Sequence, residues 1–266
     1  MPGGRDHPIS WTMKGSYAFG DSTMICTEKL VAIFTGMVML VTPLGTPPQT
    51  KGSDAPALEY KLDKRVQYFD AAGRTLVENV VDLAYEYQLP LGIEYLDREA
   101  LRRPIDLRLQ NESVRGILTA IVQQVPEYSV TFSDGLVDIF DPQEREDRSN
   151  LLNTIIKNVN ITGREAGEAN QELACALAHE IDPSTVCVAS IAKGQLGQQK
   201  ITLHLQNVKV YEVINAIVAQ NQKAIWTVIA DRSSLTDPRS SDLWHIYPLQ
   251  APFKQAVLDK LLSLKQ

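Results

Sequence analysis

The sequence is poor in the residues that most often carry chemistry. Its 266 residues include three cysteines and four histidines, and Cys26, Cys175 and Cys187 show no CxxC spacing. Zinc and iron–sulfur sites need closely spaced thiol or imidazole ligands, so this pattern indicates no metal centre. We therefore expect neither a bound metal nor a cofactor.

Motifs of nucleophilic or metal-assisted catalysis are also missing. GxSxG does not occur, and His179-Glu180 lacks the second histidine that an HExxH motif requires. Catalysis needs a base held close to a nucleophile, and the spacing of the histidines suggests no such group. The sequence predicts a protein that is not an enzyme. An envelope hydrolase is the alternative, based on His179-Glu180 or on Asp242 with His245.

The chain lacks an excess of positive charge. It has 26 Lys and Arg residues against 32 Asp and Glu residues, a net charge of -6. A nucleic-acid backbone is bound by a dense basic face, so nucleic acid is excluded from the predicted partners. With 44% hydrophobic residues, the composition is that of a globular protein with one large domain or two small ones.

A long apolar run stands near the N-terminus. LVAIFTGMVMLVTPL, from Leu30 to Leu44, carries no charge. A membrane-spanning helix needs about 20 apolar residues, so this shorter run fits the core of a signal peptide better. Met24 is a more natural start for such a signal. The cleavage site at Gly45 is poor, which keeps an uncleaved inner-membrane anchor as the alternative. We expect residues 1–50 to be a signal peptide or anchor with a linker, and the protein to be periplasmic.

Export would bring two cysteines into an oxidising compartment. Cys175 lies off the apolar stripe of its predicted helix, and Cys187 lies on the strand face opposite Val186 and Val188. These positions allow a disulfide. They favour two separate small thiols that are buried or half-buried.

Two stretches of the chain are nearly the same. IDLRLQNESVRGILTAIV covers residues 105–122, and ITLHLQNVKVYEVINAIV covers residues 201–218, with nine of eighteen positions identical. Each begins with the alternation of a strand and continues with the apolar spacing of a helix. Asn111 and Asn207 stand where the N-caps of these helices are expected.

The pattern around each copy predicts an α+β fold of two small tandem units. Each unit has the order βαββαββ, with two helices packed on short mixed sheets. The first covers residues 58–142, in which Thr75 caps a helix and Asp134-Gly135 marks a two-residue hairpin turn. The second covers residues 150–249.

Five further segments complete the predicted organisation. LLNTIIKNV, before the second unit, suits a helix or a strand, and TVCVASIA suits a strand. DPQEREDRSN, between the units, suits a short helix or a linker. The polar insertion at 231–242 suits a binding loop or, slightly better, a disordered ornament. The amphipathic segment 252–265 is expected to be a helix that docks on the second unit, with an interface helix as the alternative.

The first unit resembles the short N-terminal (STN-like) domain that secretins and TonB-dependent receptors share. The resemblance runs from about Val66 to Phe140, through QYFDAAGRTLVENVVDLAYEYQLPLGIEYL, IDLRLQNESVRGILTAIV and YSVTFSDGLVDIF. Residues 150–248 resemble it through ITLHLQNVKVYEVINAIV. The resemblance covers about two-thirds of the chain. It implies tandem periplasmic docking modules that contact envelope or outer-membrane proteins.

The resemblance implies docking but not transport. In those families the domain precedes an outer-membrane pore, whereas this sequence ends at Gln266 without a run of alternating barrel strands. We therefore expect an exported, non-enzymatic envelope protein that acts as a protein–protein interaction module.

Aromatic residues supply the candidate contact sites. Trp226 and Trp244 lie on neighbouring predicted strands of one hairpin, and either of them is a candidate partner-binding residue if it is exposed. The alternative function is a periplasmic module that binds a small ligand or signal in a groove. That groove would be lined by Tyr85, Tyr87, Tyr95, Trp226, Trp244 and Tyr247.

Overall fold

The computed structural model describes residues 55–94, 98–187, 196–228, 232–238, 240 and 243–263. The apolar run Leu30–Leu44, with the predicted signal peptide or anchor, lies outside these residues. Among the described residues, no helix is both long and apolar enough to cross a membrane.

The N-terminal half, residues 55–146, alternates short helices and strands. Its elements are α1 Ala55–Leu62, β1 Arg65–Asp70, β2 Arg74–Thr75, α2 Leu76–Tyr87, β3 Leu91–Ile93, α3 Arg98–Arg102, β4 Pro104–Ile105, β5 Arg108–Ser113, α4 Val114–Gln123, β6 Ser129–Ser133, β7 Leu136–Phe140 and α5 Pro142–Glu146.

The C-terminal half, residues 151–248, has longer elements, and a last helix follows it. After a 3-10 turn at Leu151–Asn153 come β8 Ile155–Glu165, α6 Ala166–Ile181, β9 Lys200–Lys209, α7 Val210–Asn221, β10 Ala224–Val228, α8 Arg232–Thr236, β11 Trp244–Pro248 and α9 Ala251–Ser263. These elements confirm the predicted α+β class.

Strands of both halves form one five-stranded sheet. Its order is β11-β10-β3-β7-β6. The central strand β3 runs parallel to β7 of its own half and parallel to β10 of the other half. The division into two separate units stays a prediction. The five-stranded sheet contains strands of both halves, so it belongs to neither half alone.

The helices of the two halves cover opposite faces of the shared sheet. Leu91, Val137 and Ile225 point into the core that α2 and α4 complete. Leu136 and Trp226, each next in sequence to one of these residues, point into the core that α6 and α7 complete. Because neighbouring side chains in a strand point to opposite faces, one sheet separates two cores.

Each half also carries a two-stranded antiparallel ribbon outside the shared sheet. In the N-terminal half β1 pairs with β5, and in the C-terminal half β8 pairs with β9. The second strand of each ribbon runs directly into a helix, α4 or α7. The repeated eighteen-residue sequence is therefore the end of a ribbon followed by a core helix.

The predicted N-caps at Asn111 and Asn207 are wrong. Both asparagines lie inside strands β5 and β9, with left-handed φ values of 49° and 51°. Asparagine tolerates this region better than most residues with a Cβ. The cap of α4 is Ser113, whose side chain accepts a hydrogen bond from the Gly116 amide. The repeated asparagine therefore marks a left-handed backbone position inside a ribbon strand, across which the pairing register continues unchanged.

Other predicted elements are found close to their expected positions. Thr75 caps α2 in a capping box with Glu78, as predicted. The ambiguous segment before the second unit is a 3-10 turn followed by the strand β8, and DPQEREDRSN begins with the short helix α5. In TVCVASIA, residues 185–187 are not in a strand and the rest lies outside the described residues.

The insertion at 231–242 contains structure where it is described. Helix α8 lies within it, and Leu235 is buried in the C-terminal core. The preference for a disordered ornament is therefore wrong for this part of the insertion. The spacing of a single leucine among polar residues gave no sign of this packing.

Helix α9 docks on the N-terminal half and not on the C-terminal half as predicted. Val257 and Leu261 are buried in the N-terminal core. Lys254 Nζ lies 2.6 Å from Asp82 Oδ1 on α2. An amphipathic stripe predicts that a helix docks, but the choice of surface depends on tertiary structure. The chain thus returns from the C-terminal half to close the N-terminal core.

Cys175 and Cys187 form a disulfide. Their Cα atoms are 5.7 Å apart, and the bond links helix α6 to the segment that follows it. The preference for two separate thiols is wrong because the chain turns back after α6, through Asp182, whose carboxylate accepts from the Ser184 amide. Helical and strand angles alone do not predict such a turn.

Candidate functional site

Three charged side chains of the N-terminal half meet on the sheet face that the C-terminal half covers. Glu94 follows β3, Asp138 lies in the middle of β7, and Arg145 lies on α5. Glu94 and Asp138 are 2% and 4% exposed. We call Glu94, Asp138 and Arg145 the charge cluster.

The guanidinium of Arg145 bridges the two carboxylates. Arg145 Nε donates to Glu94 Oε1 at 2.9 Å, and Arg145 Nη2 donates to Asp138 Oδ2 at 2.5 Å. The ring of Phe140 lies 3.6 Å from the guanidinium carbon. Charge-assisted hydrogen bonds and ring stacking together hold Arg145 in one orientation.

Side chains of the C-terminal half complete the surroundings of the cluster. Asn215 on α7 donates to Asp138 Oδ2 at 2.9 Å, and Trp226 on β10 donates from Nε1 to Asn215 Oδ1 at 2.7 Å. The Tyr211 ring lies 4.4 Å from the Arg145 guanidinium carbon. A chain of hydrogen bonds thus runs from one half to the other through buried groups.

The cluster has two acids for one base. Burial raises the pKa of Glu94 to about 7, although Arg145 lowers it. Burial also raises the pKa of Asp138, against Arg145 and Asn215. With both acids ionised the cluster would hold one uncompensated negative charge away from water, which is costly. A proton on Glu94 removes that charge.

Gly92 makes room for this arrangement. A Cβ at this position would overlap Trp226 Nε1 and lie 3.0 Å from Asp138 Oδ1. That oxygen is buried and has no hydrogen-bond donor among the described residues. Because Gly92 has no side chain, the Trp226 indole and the Asp138 carboxylate can lie close to the backbone of β3.

The cluster was not identified from the sequence, although a signal for it exists. LGIEYL and LVDIF each place one acid in an apolar strand. Acidic residues are seldom fully buried without a partner, so an acid in such a strand indicates a buried ion pair. The position of Arg145 in a polar connection gave no comparable sign.

The two candidate contact residues are buried. Trp226 is 0% and Trp244 is 8% exposed. Trp244 donates from Nε1 to Asn170 Oδ1 at 2.7 Å, and both rings belong to the C-terminal core. A side chain must be exposed to contact a partner, so the burial of both tryptophans removes them as candidate contact residues.

The aromatic residues expected to line a groove are spread over different surroundings. Tyr85 is buried, donates to the carbonyl of Pro248 at 3.0 Å, and has a pKa that burial raises to about 12. Tyr87 and Tyr247 pack against the N-terminal core. Tyr95 lies outside the described residues.

The residues of the hydrolase alternative do not come together where they are described. His179 is exposed at the end of α6. Glu180 pairs with Lys157 at 3.0 Å, and this hydrogen bond lowers the pKa of Glu180. His245 stacks on Tyr247 with ring centroids 5.7 Å apart, and Asp242 lies outside the described residues.

Metal ligands are not clustered in the part of the chain that the structure describes: it contains no group of three His, Cys, Asp or Glu side chains placed to hold an ion. The positive charge between Glu94 and Asp138 is the guanidinium of Arg145. Glu94 can gain or lose a proton near neutral pH, and the hydrogen bond from Asn215 to Asp138 joins the two halves.

Comparisons with known proteins do not add a relative. The chain matches no protein-family model, no curated protein and no solved structure.

Proposed function

We propose that the chain is an exported, non-enzymatic docking protein of the cell envelope. In this proposal the two halves form one rigid body, and the ribbons outside the shared sheet contact envelope or outer-membrane proteins. The resemblance to the N-terminal domains of secretins and TonB-dependent receptors and the apolar run Leu30–Leu44 support it.

The observation that carries the proposal is the exposed ribbon β1–β5. Tyr68 on β1 is 57% exposed, and its hydroxyl donates to Asp70 Oδ2 at 3.2 Å. Tyrosine supplies a large contact area at a small entropic cost, and it is enriched among residues that dominate binding energy. Tyr68 therefore replaces Trp226 and Trp244 as the candidate partner contact.

The disulfide supports the exported location. Disulfides persist in oxidising compartments and are rare in the cytosol of mesophiles. Cys175 and Cys187 form such a bond within one half of the molecule. The apolar run and the disulfide are separate features of the chain, and both agree with passage into the periplasm.

Photo-crosslinking in intact cells tests the proposal. A photoreactive amino acid in place of Tyr68 should link the chain to specific envelope proteins. The same amino acid in place of the buried Tyr85 is the control and should give no such products. Fractionation with intact-mass measurement should recover the chain from the periplasm or the inner membrane. A full-length chain in the cytoplasm, or identical products at both positions, would refute the proposal.

A further inference from the structure

Strand β6 forms an open edge of the shared sheet. It stands last in the strand order and pairs with β7 alone among the described strands. The exposed side chains of β6 are Thr131 and Ser133, while Val130 and Phe132 are half-buried against the N-terminal core. An unpaired strand edge presents a row of backbone donors and acceptors to any matching strand.

The register shows which backbone groups point outward. Asp134 and Gly135 both have positive φ, so the β6–β7 turn is of the two-residue type that hydrogen-bonds Ser133 to Leu136. The amide of Val137 donates to Pro90 on the opposite side of β7, which agrees with this alternation. In β6 the N–H and C=O groups of Val130 and Phe132 consequently point away from β7.

Strand β6 also lacks the features that usually protect an edge. Charged residues, prolines and bulges prevent edge-to-edge pairing. SVTFS contains no charge and no proline, whereas all four ribbon strands carry charged residues. The opposite edge strand, β11, ends in Pro248. Strand β6 is thus the one described edge strand of the shared sheet with neither charge nor proline.

The sequence of β6 is complementary to itself. Placed antiparallel to a second copy about Thr131, Ser129 meets Ser133, Val130 meets Phe132, and Thr131 meets Thr131. Threonine pairs and pairs of an aromatic with a β-branched residue are favourable across strands. In this register, Val130 of each copy is opposite Phe132 of the other copy. The backbone N–H and C=O groups of these two residues point outward, so they can form hydrogen bonds between the copies.

We propose that the protein forms a two-fold symmetric dimer through antiparallel pairing of β6 with β6 of a second copy. The pairing extends the shared sheet to ten strands and makes four backbone hydrogen bonds. It forms an isologous interface, in which the same strand serves both copies. This surface is separate from the β1–β5 ribbon, so the dimer does not depend on the proposed docking function.

Thr131 is the position at which the register can be tested by charge. Thr131→Lys places two like charges opposite each other at the two-fold axis, and Thr131→Asp does the same with the other sign. Each variant should be monomeric in analytical ultracentrifugation of the full chain. An equal mixture should restore the dimer, because lysine then faces aspartate. Gln110→Lys, on the exposed part of β5, is the matched control and should leave the dimer intact.

Cysteine crosslinking tests the same register without changing charge. In a non-hydrogen-bonded antiparallel pair the Cα atoms lie about 4.5 Å apart, within the range of a disulfide. Thr131→Cys should therefore form a covalent dimer on mild oxidation. Ser133→Cys should not, unless it is mixed with Ser129→Cys. The unsubstituted chain, which keeps Cys26, provides the background.

The outcomes separate clearly. A weak, reversible dimer that dissociates with both charged variants and returns on mixing supports the proposal. A chain that stays monomeric from about 1 µM to about 1 mM overturns it, since this range covers weak association. A dimer that Thr131→Lys leaves unchanged, or Ser133→Cys crosslinking as well as Thr131→Cys, also overturns it.

Discussion

Each half contains its own two-stranded ribbon followed by a core helix, but the two halves differ in the elements that close their cores. In the N-terminal half a two-residue turn joins β6 to β7, and α9 closes the core. In the C-terminal half the hairpin carries the insertion with α8, and a disulfide anchors α6. The repeated sequence defines the ribbon and helix, whereas the residues that differ define how each half is closed.

The charge cluster shows the same contrast at the boundary. Its acids and its arginine belong to the N-terminal half, while the residues that cover it, Tyr211, Asn215 and Trp226, belong to the C-terminal half. The two halves are thus joined both by this cluster and by the pairing of β3 with β10. Substitutions at this boundary and at the elements that close each half test that contrast.

Removing the guanidinium of the charge cluster should have the largest effect. Arg145→Met leaves Glu94 and Asp138 buried without their cation, and we expect the free energy of unfolding to fall by about 3–5 kcal/mol. Urea denaturation measures the change. Arg164→Met removes an exposed partner of Glu172 and should cost less than about 1 kcal/mol. Equal losses would show that the cluster does not stabilise the molecule.

Titration of Glu94 should make stability depend on pH. The pKa is raised from 4.5 to about 7 in the folded state, so the folded protein binds the extra proton between these values. The contribution of Glu94 to the free energy of unfolding is therefore largest at low pH. It decreases by up to about 3 kcal/mol as the pH rises from about 4.5 to about 7.

A comparison of variants isolates this contribution from the other acids. Glu94→Gln imitates the protonated side chain, so the difference in stability between it and the wild type should grow across this pH range. Glu180 has the opposite pH dependence, because Lys157 lowers its pKa. Its ion pair stabilises the wild type at neutral pH and is lost as the pH falls. The difference in stability between Glu180→Gln and the wild type should therefore shrink at low pH. A flat difference for Glu94→Gln would contradict the assignment.

The disulfide should stabilise the C-terminal half. It closes a loop with a sequence separation of 12, for which loop-closure entropy gives about 3 kcal/mol. Replacement of Cys175 and Cys187 by serine should lower the midpoint of thermal unfolding. The wild type under reducing conditions should match the double variant. A reductant that leaves the wild type unchanged while the double variant is destabilised would show that the loss comes from packing.

The two helix caps should respond differently to alanine. Ser113→Ala removes the side-chain acceptor for the Gly116 amide and should cost about 1 kcal/mol. Lys209→Ala at the equivalent position keeps the backbone amide that donates to Glu212, so we expect a smaller loss. Helix stability measured by chemical denaturation distinguishes the two, and equal losses would contradict the difference in capping.

Local patterns predicted most helices and strands, because their causes lie within a few residues. Thr75 predicted the start of a helix, and the structure shows α2 beginning directly after it. The alternation in IDLRLQ predicted one strand over residues 105–110, whereas the structure has Ile105 in β4 and begins β5 at Arg108. A left-handed asparagine inside β5 does not alter the apolar pattern. The cap was therefore assigned two residues too early in both copies.

The shared sheet and the position of α9 could not be predicted in the same way. Strand β3 is buried on both faces, so its sequence LGI is compatible with pairing to any strand. Val257 and Leu261 indicate a docked helix without naming its surface. The charge cluster was predictable in part, since Glu94 and Asp138 interrupt apolar strands, while its arginine comes from a polar connection.

We infer that the two halves fold as one body through the shared sheet. Ile121 and Ile217 occupy the same position of the repeat, both fully buried, one in each core. Either residue changed to alanine should cost about 2–5 kcal/mol. The direct test follows urea unfolding by the fluorescence of Trp226 and Trp244, which both lie in the C-terminal core. We predict that Ile121→Ala and Ile217→Ala lower the midpoint of one common transition. A transition that Ile217→Ala lowers and Ile121→Ala leaves unchanged would mean that the halves unfold independently.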